Sequence, residues 1–175
     1  GWLGLPLAND LNKLGHTINL STRSVDKLNL LTNMSSTAYL IDIDRLSNEV
    51  QAFLMTEILI INITSKNMNS YAKLIKEIER STVKNVLFIS SSSVYQSVNG
   101  VGYSLHPGNF FKNGKIVQQP DAPVNLIHRD DCIGIINAII KQAAWGTTFN
   151  GCATTHPSKR EFYNHARTLL KLSNP

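Results

Sequence analysis

The sequence predicts an α/β fold, a doubly wound parallel sheet with helices on both faces. Three observations point there. Apolar residues recur alternately at helical and at strand periods along the chain, which is the pattern of strands joined by covering helices. The strand-period segments include Ile58-Leu59-Ile60-Ile61, apolar at every position, as a parallel strand covered on both faces requires. Finally, two glycines three residues apart, Gly1 and Gly4, stand directly before the first helical pattern.

Taken in order, Leu3, Leu7, Leu11 and Leu14 repeat at helical spacing and stop at Gly15, a residue that tolerates the positive φ of a helix end. A strand is expected over residues 17–21, and two more over 38–43 and 58–63. Tyr71, Leu74, Ile75 and Ile78 mark one face of the next helix. Residues 86–89, Val-Leu-Phe-Ile, form another buried strand that runs straight into Ser90-Ser91-Ser92-Ser93-Val94-Tyr95. Asp130 or Asp131 is expected to cap a helix whose apolar face is Ile133, Ile136, Ile139 and Ile140. Residues 147–153 read as a short strand. Ser158-Lys159-Arg160-Glu161 fits a capping box for a last helix with Phe162, Ala166, Leu169 and Leu170 on its apolar face.

The 175 residues, 42% hydrophobic and 17% charged, suit one compact domain spanning 1–175. No run approaches the roughly 20 apolar residues that cross a bilayer, and no basic region leads into a hydrophobic run at the N-terminus. A cytoplasmic protein without a membrane partner is the expectation. Cys132 and Cys152 form no CxxC pair, so disulfide scaffolds and metal sites have no support, and both read as small core residues. The net charge of +5 is spread without a basic run or an aromatic-interleaved patch, which argues against a nucleic-acid partner and for a small anionic ligand.

Two places read as incomplete. Gly1-Trp2-Leu3-Gly4 matches the back half of a GxGxxG turn without the strand that normally precedes it at the centre of such a sheet. Between Gly100 and Tyr103 the chain passes from a strand end to a His-Pro-Gly turn without the helix and strand of a right-handed crossover. Segments are therefore expected to be absent before residue 1 and near 100–103, the latter as a break in the Cα trace.

The order of Gly-Trp-Leu-Gly, Ser-Ser-Ser-Val-Tyr, His-Pro-Gly-Asn-Phe-Phe and Asn-Leu-Ile-His-Arg-Asp-Asp resembles the NAD(P)-dependent epimerase/dehydratase family, the extended short-chain dehydrogenases, in an atypical bacterial form. The resemblance implies a Rossmann fold with a small C-terminal substrate-binding part, to which residues 101–130 and 147–175 contribute. It places Gly1 and Gly4 as the second and third fingerprint glycines, with Trp2 and Leu3 between them at the pyrophosphate. Thr22, Arg23 and Ser24 follow the strand after which an NAD enzyme usually holds the ribose with an acid. No acid stands there, and Arg23 suits a 2′-phosphate, so NADP(H) is expected over NAD(H), with NAD(H) still admissible. The alternative for Arg23 is a solvated loop arginine. Asp42 matches the family's acidic residue near the adenine amino group, and equally suits a cap or turn. Ile63 and Thr64 would pass beneath the cofactor at the carboxyl edge of the sheet.

The same resemblance makes Ser91 the serine that polarises the reacting oxygen, the catalytic candidate, and His106, Asn109 and His128 candidates for substrate binding. The chain departs from the family in its general base. The family pairs a tyrosine with a lysine four residues later, and this sequence contains no Tyr-x-x-x-Lys. Tyr163 and Arg167 have the spacing, on a helix better explained by packing. The expected function is an NADP(H)-binding oxidoreductase or epimerase for a sugar-nucleotide-like or other polar metabolite, in a chain that could pair as a homodimer. The alternative is a non-catalytic NADP(H)-binding sensor or assembly protein.

Overall fold

A computed structural model describes residues 2–32, 37–90 and 116–172. The chain divides into two compact units, Gly4–Ser90 and Ser91–Pro175, the latter joined by Gly1–Leu3.

In the unit Gly4–Ser90, α1 (Gly4–Lys13) leads to β1 (Asn19–Thr22), α2 (Val25–Leu31), β2 (Thr37–Leu40), a 3-10 turn (Ile43–Arg45), α3 (Glu49–Phe53), β3 (Ile58–Ile61), α4 (Met68–Glu79) and β4 (Asn85–Phe88). α1 forms because its apolar spacing puts Leu7, Ala8 and Leu11 on one buried face, with Pro6 in the first turn where no intrahelical N–H is needed. It stops one residue before Leu14, which is exposed rather than on the buried face. Gly15 then turns the chain at φ 91°, a conformation that a side chain disfavours.

β1 pairs with β2 in parallel, Asn19 opposite Thr37 through Thr22 opposite Leu40. β3 pairs with β4 in parallel, Ile58 opposite Asn85 through Ile61 opposite Phe88. Each pair is joined through a helix, α2 or α4, as a parallel connection requires. Among the described residues the two pairs are separate two-stranded sheets, with no third strand on either. The expected strands 17–21, 38–43, 58–63 and 86–89 are all present but are four residues each. The second ends early because Asp42 bends the chain into the 3-10 turn by accepting a hydrogen bond from the Asp44 N–H.

The core of this unit gathers Ile41, Ile43, Val50, Leu54, Leu59 and Leu74, with Tyr39, Phe53, Ile61 and Tyr71 against it. Leu54 is fully buried. Residues after β2 and residues of β3 and α4 thus share one core. A polar tie accompanies it: Asp44 Oδ1 accepts from the buried Ser70 hydroxyl and from Asn67 Nδ2, and Asn67 caps α4. Two expectations fail here. Ile75 is exposed on α4, and Val86 and Phe88 on β4 are 44% and 54% exposed although their strand is continuously apolar. Among the described residues this sheet has two strands, so β4 is covered by α4 and the core on one side only.

In the unit Ser91–Pro175, α5 (Arg129–Gln142) and α6 (Lys159–Leu169) are the regular elements described. Ile133 and Ile136 are buried on α5, and Ile139 and Ile140 half-buried. Its cap is His128, not Asp130 or Asp131: the backbone is extended at residue 128, and the imidazole Nδ1 accepts the Asp130 N–H at 3.3 Å. The two aspartates sit in the first turn, where a negative charge favours the helix dipole. α6 has the expected capping box. Ser158 Oγ accepts from the Glu161 N–H, and the Glu161 carboxylate accepts from the Ser158 N–H, which holds that carboxyl below its usual pKa. Leu169 is exposed, whereas Ala166 is buried.

Residues 147–153 form no strand. The described segment makes one backbone bond to a neighbour, Ala153 N–H to the Leu126 carbonyl, and one bond is not a ladder. The chain passes this close because Gly151 lacks a Cβ, which would lie 2.9 Å from Ile135 Cδ1. Cys152 is exposed, not a core residue, and Cys132 is half-buried, with its thiol pKa pushed up by burial and by Asp131.

Candidate functional site

The polar residues of the first half of Gly4–Ser90 converge where β1 and β2 end. Thr22 closes β1, and its carbonyl accepts the Ile41 N–H at 2.9 Å, so the exits of the two parallel strands lie side by side. Two turns then set the side chains. After β1, the Ser24 N–H donates to Thr22 Oγ1 at 3.2 Å, and Ser24, extended at φ −108°, caps α2 by accepting the Lys27 N–H. After β2, Asp42 caps the 3-10 turn through Oδ1.

The result is an open cavity of about 370 Å³ lined by Thr22, Arg23, Ser24, Lys27 and Asp42. Four of the five are donors. The Thr22 and Ser24 oxygens accept from backbone amides, which leaves each hydroxyl hydrogen to donate outward. Arg23 and Lys27 are exposed cations that join no ion pair among the described residues. The fifth, Asp42, has one carboxylate oxygen committed to its turn and a second for another donor. Its cap role and its place in the cavity are compatible because they use different oxygens.

A second convergence lies at the end of β3. Gly4, the first residue of α1, stands where an added Cβ would meet Asn62 Nδ2 at 3.8 Å, and Asn62 follows β3 directly. The start of α1 and the carboxyl end of β3 are therefore neighbours. Ile63 and Thr64 continue from Asn62 as exposed residues. Trp2 is 42% exposed and Leu3 buried, and both group with the other unit.

The remaining expected residues divide in two. His128 is described, exposed at the N-terminus of α5. Gly1, Ser91, His106 and Asn109, with the expected break at 100–103, lie outside the described residues. Tyr163 is half-buried, packs edge-to-face on Phe162 at 5.2 Å, and has its phenol pKa pushed up by burial. A tyrosine base is favoured by the opposite shift.

Sequence reasoning missed Lys27. It passed over α2 altogether, because a seven-residue helix with no buried side chain leaves no apolar period to find. The available signal was Ser24 as an N-cap, which would have put Lys27 in the first turn of a helix beside Thr22 and Arg23. Among the described residues no group of His, Cys, Asp and Glu could hold a metal ion, and no helix is long and apolar enough to cross a membrane.

No family model matches the chain. Protein YeeZ of Escherichia coli K12 is 25% identical over 228 residues, covering all of this chain and 83% of YeeZ, and YeeZ of the O157:H7 strain matches equally. That span is 53 positions longer than the 175 residues here, so at least that many have no counterpart in this chain. A solved structure from Methylobacillus flagellatus, named as an NAD-dependent epimerase/dehydratase, superposes with a TM-score of 0.67 at 17% identity, over 100% of this chain and 81% of the other. Its name is that of the family the motif order resembles. The chain therefore has the Rossmann-like α/β fold of that epimerase/dehydratase, matched along its whole length.

Proposed function

We propose that this chain binds NADP(H) and serves as a reductase or epimerase for a polar, sugar-nucleotide-like metabolite. One observation carries the cofactor reading: Thr22, Arg23 and Ser24 present donors into the cavity at the end of β1, where an acid would stand in a protein selecting NAD(H). These residues fit a phosphate monoester. A guanidinium and two hydroxyls with free hydrogens match its acceptor oxygens, and charge-assisted bonds of this kind are the stronger ones. Asp42 supplies the complementary acceptor for an amino or hydroxyl group of the adenosine. Gly4, with no side chain between α1 and Asn62, allows the dinucleotide to approach the sheet edge along which Ile63 and Thr64 run. The nicotinamide supplies hydride exchange when bound. The fold of the Methylobacillus flagellatus protein supports a nicotinamide cofactor here.

In the chemical step we assign Ser91 to hydrogen-bond the reacting oxygen, the role the motif order implies for it, three positions after β4 in the sequence. His106, Asn109 and His128 would then contact the substrate. A second reading, NADP(H) binding without turnover, is favoured by the missing Tyr-x-x-x-Lys and by the shortfall of at least 53 positions against YeeZ.

The test is titration of the purified chain with NADPH and NADH, followed by Arg23→Ala. The expected result is tighter NADPH binding that Arg23→Ala weakens about tenfold while NADH binding is unchanged. Equal losses for both would remove Arg23 from the phosphate site. Turnover in a metabolite screen, lost by on the order of 100-fold in Ser91→Ala with NADPH binding intact, would decide for the enzyme.

A further inference from the structure

We infer that Asn150 is a site of spontaneous modification: in the folded chain its side-chain amide is lost to attack by the Gly151 backbone nitrogen, and aspartate and isoaspartate take its place. The inference is independent of the cofactor reading above.

The sequence holds three Asn-Gly pairs, and of these Asn150-Gly151 lies within the described residues. Glycine after asparagine matters because the attacking nitrogen must reach the side-chain carbon of the residue before it, and a Cβ on the second residue crowds that approach and restricts the backbone. The fold has its own reason for glycine here. An added Cβ at Gly151 would lie 2.9 Å from Ile135 Cδ1 and 3.2 Å from Ile127 Cδ1. The missing side chain that lets this segment pass α5 therefore also leaves the Asn150 amide open to attack.

Three features keep the pair reactive. Both residues are exposed, so water reaches the site for the hydrolytic step. Neither belongs to a helix or strand, so no ladder holds the backbone between them. Among the described residues no hydrogen bond engages the Gly151 N–H or the Asn150 side chain, whereas two residues on the Ala153 N–H is committed to the Leu126 carbonyl. An N–H held in that way must give up its bond before the nitrogen can act.

In the reaction the Gly151 nitrogen loses its proton to water and bonds to Asn150 Cγ. The bond from Cγ to the side-chain nitrogen breaks, and that nitrogen takes a proton from solvent and leaves as ammonia. The resulting succinimide is opened by water. Opening at Cγ gives aspartate, and opening at the main-chain carbonyl routes the chain through the side chain and gives isoaspartate. Either product adds one negative charge, and isoaspartate also lengthens the backbone by one carbon, about 1.5 Å. The extra carbon enters directly before the residue packed on Ile127 and Ile135, so isoaspartate displaces that contact and aspartate does not.

The experiment ages the purified full chain in mildly alkaline buffer, with a parallel sample in denaturant, and maps tryptic peptides by mass spectrometry. The peptide of residues 142–159 contains Asn150 and no other asparagine. The expected result is a gain of one mass unit at Asn150 in both samples, with electron-transfer fragmentation showing both products. A gain in denaturant but none in the folded chain would show that the fold withholds the nitrogen, and would overturn the proposal. Asn150→Gln, whose longer side chain closes its ring far more slowly, should abolish the gain in this peptide, and a gain that persists would place the modified group elsewhere and overturn the assignment. Thermal unfolding separates the two products. Asn150→Asp should unfold within about 1 °C of the parent chain, and the isoaspartate fraction, isolated by ion exchange, about 2–4 °C lower. An isoaspartate fraction that unfolds together with Asn150→Asp would overturn the displaced contact.

Discussion

The β1–β2 pair and the β3–β4 pair are built alike, each with two parallel four-residue strands joined through one helix, yet they use their residues differently. β1 is Asn-Leu-Ser-Thr, mixed in polarity and half-buried, and it ends in the cavity of Thr22, Arg23 and Ser24. β3 is Ile-Leu-Ile-Ile, with Leu59 buried in the core that also holds Leu54 and Leu74. The first pair lines the cavity and the second carries more of the packing. The difference shows that a strand's own composition reports its burial, while the two or three residues after it set the polarity of the sheet edge.

This contrast can be broken most directly by truncation. Leu59→Ala should destabilise the chain by about 2–4 kcal/mol in denaturant unfolding, since it opens a cavity among buried neighbours. Leu20→Ala, at a half-buried position of β1, should cost clearly less, about 1–2 kcal/mol. Equal losses would show that the two pairs share the packing load. A smaller effect is expected from Ser70→Ala, which removes the tie between α4 and the turn after β2. It should cost about 1 kcal/mol and leave cofactor titrations unchanged, because the Ser70 hydroxyl bonds Asp44, outside the cavity lining. A change in NADPH affinity would mean that the tie positions Asp42. The smallest effect belongs to Val86→Thr, within about 0.5 kcal/mol, because Val86 is 44% exposed. A loss above about 1.5 kcal/mol would show that this face of β4 is covered in solution.

Much of the fold was legible because its signals are local. Gly15 marks the end of α1, Ser158 and Glu161 mark the start of α6, and the apolar run of β3 needs no partner to be recognised. Where reading failed, the deciding contact was distant or the signal was short. Residues 147–153 have strand-like composition but no second strand to pair with among the described residues. The cap of α5 fell to His128 because the backbone stays extended until that residue, although Asp130 and Asp131 are the better capping types. α2 left no trace in periodicity, and with it Lys27 was lost.

The sequence by itself determined the alternation of helix and strand and the absence of an acid after β1, since each depends on residue type at a fixed spacing. Only the tertiary structure decided which of these residues meet. It set Asp42 beside Thr22, Arg23 and Ser24, brought Gly4 next to Asn62, and turned Lys27 into the same cavity. The physical reason is that parallel pairing aligns strand exits far apart in sequence, and a strand carries no record of which exit will lie next to its own.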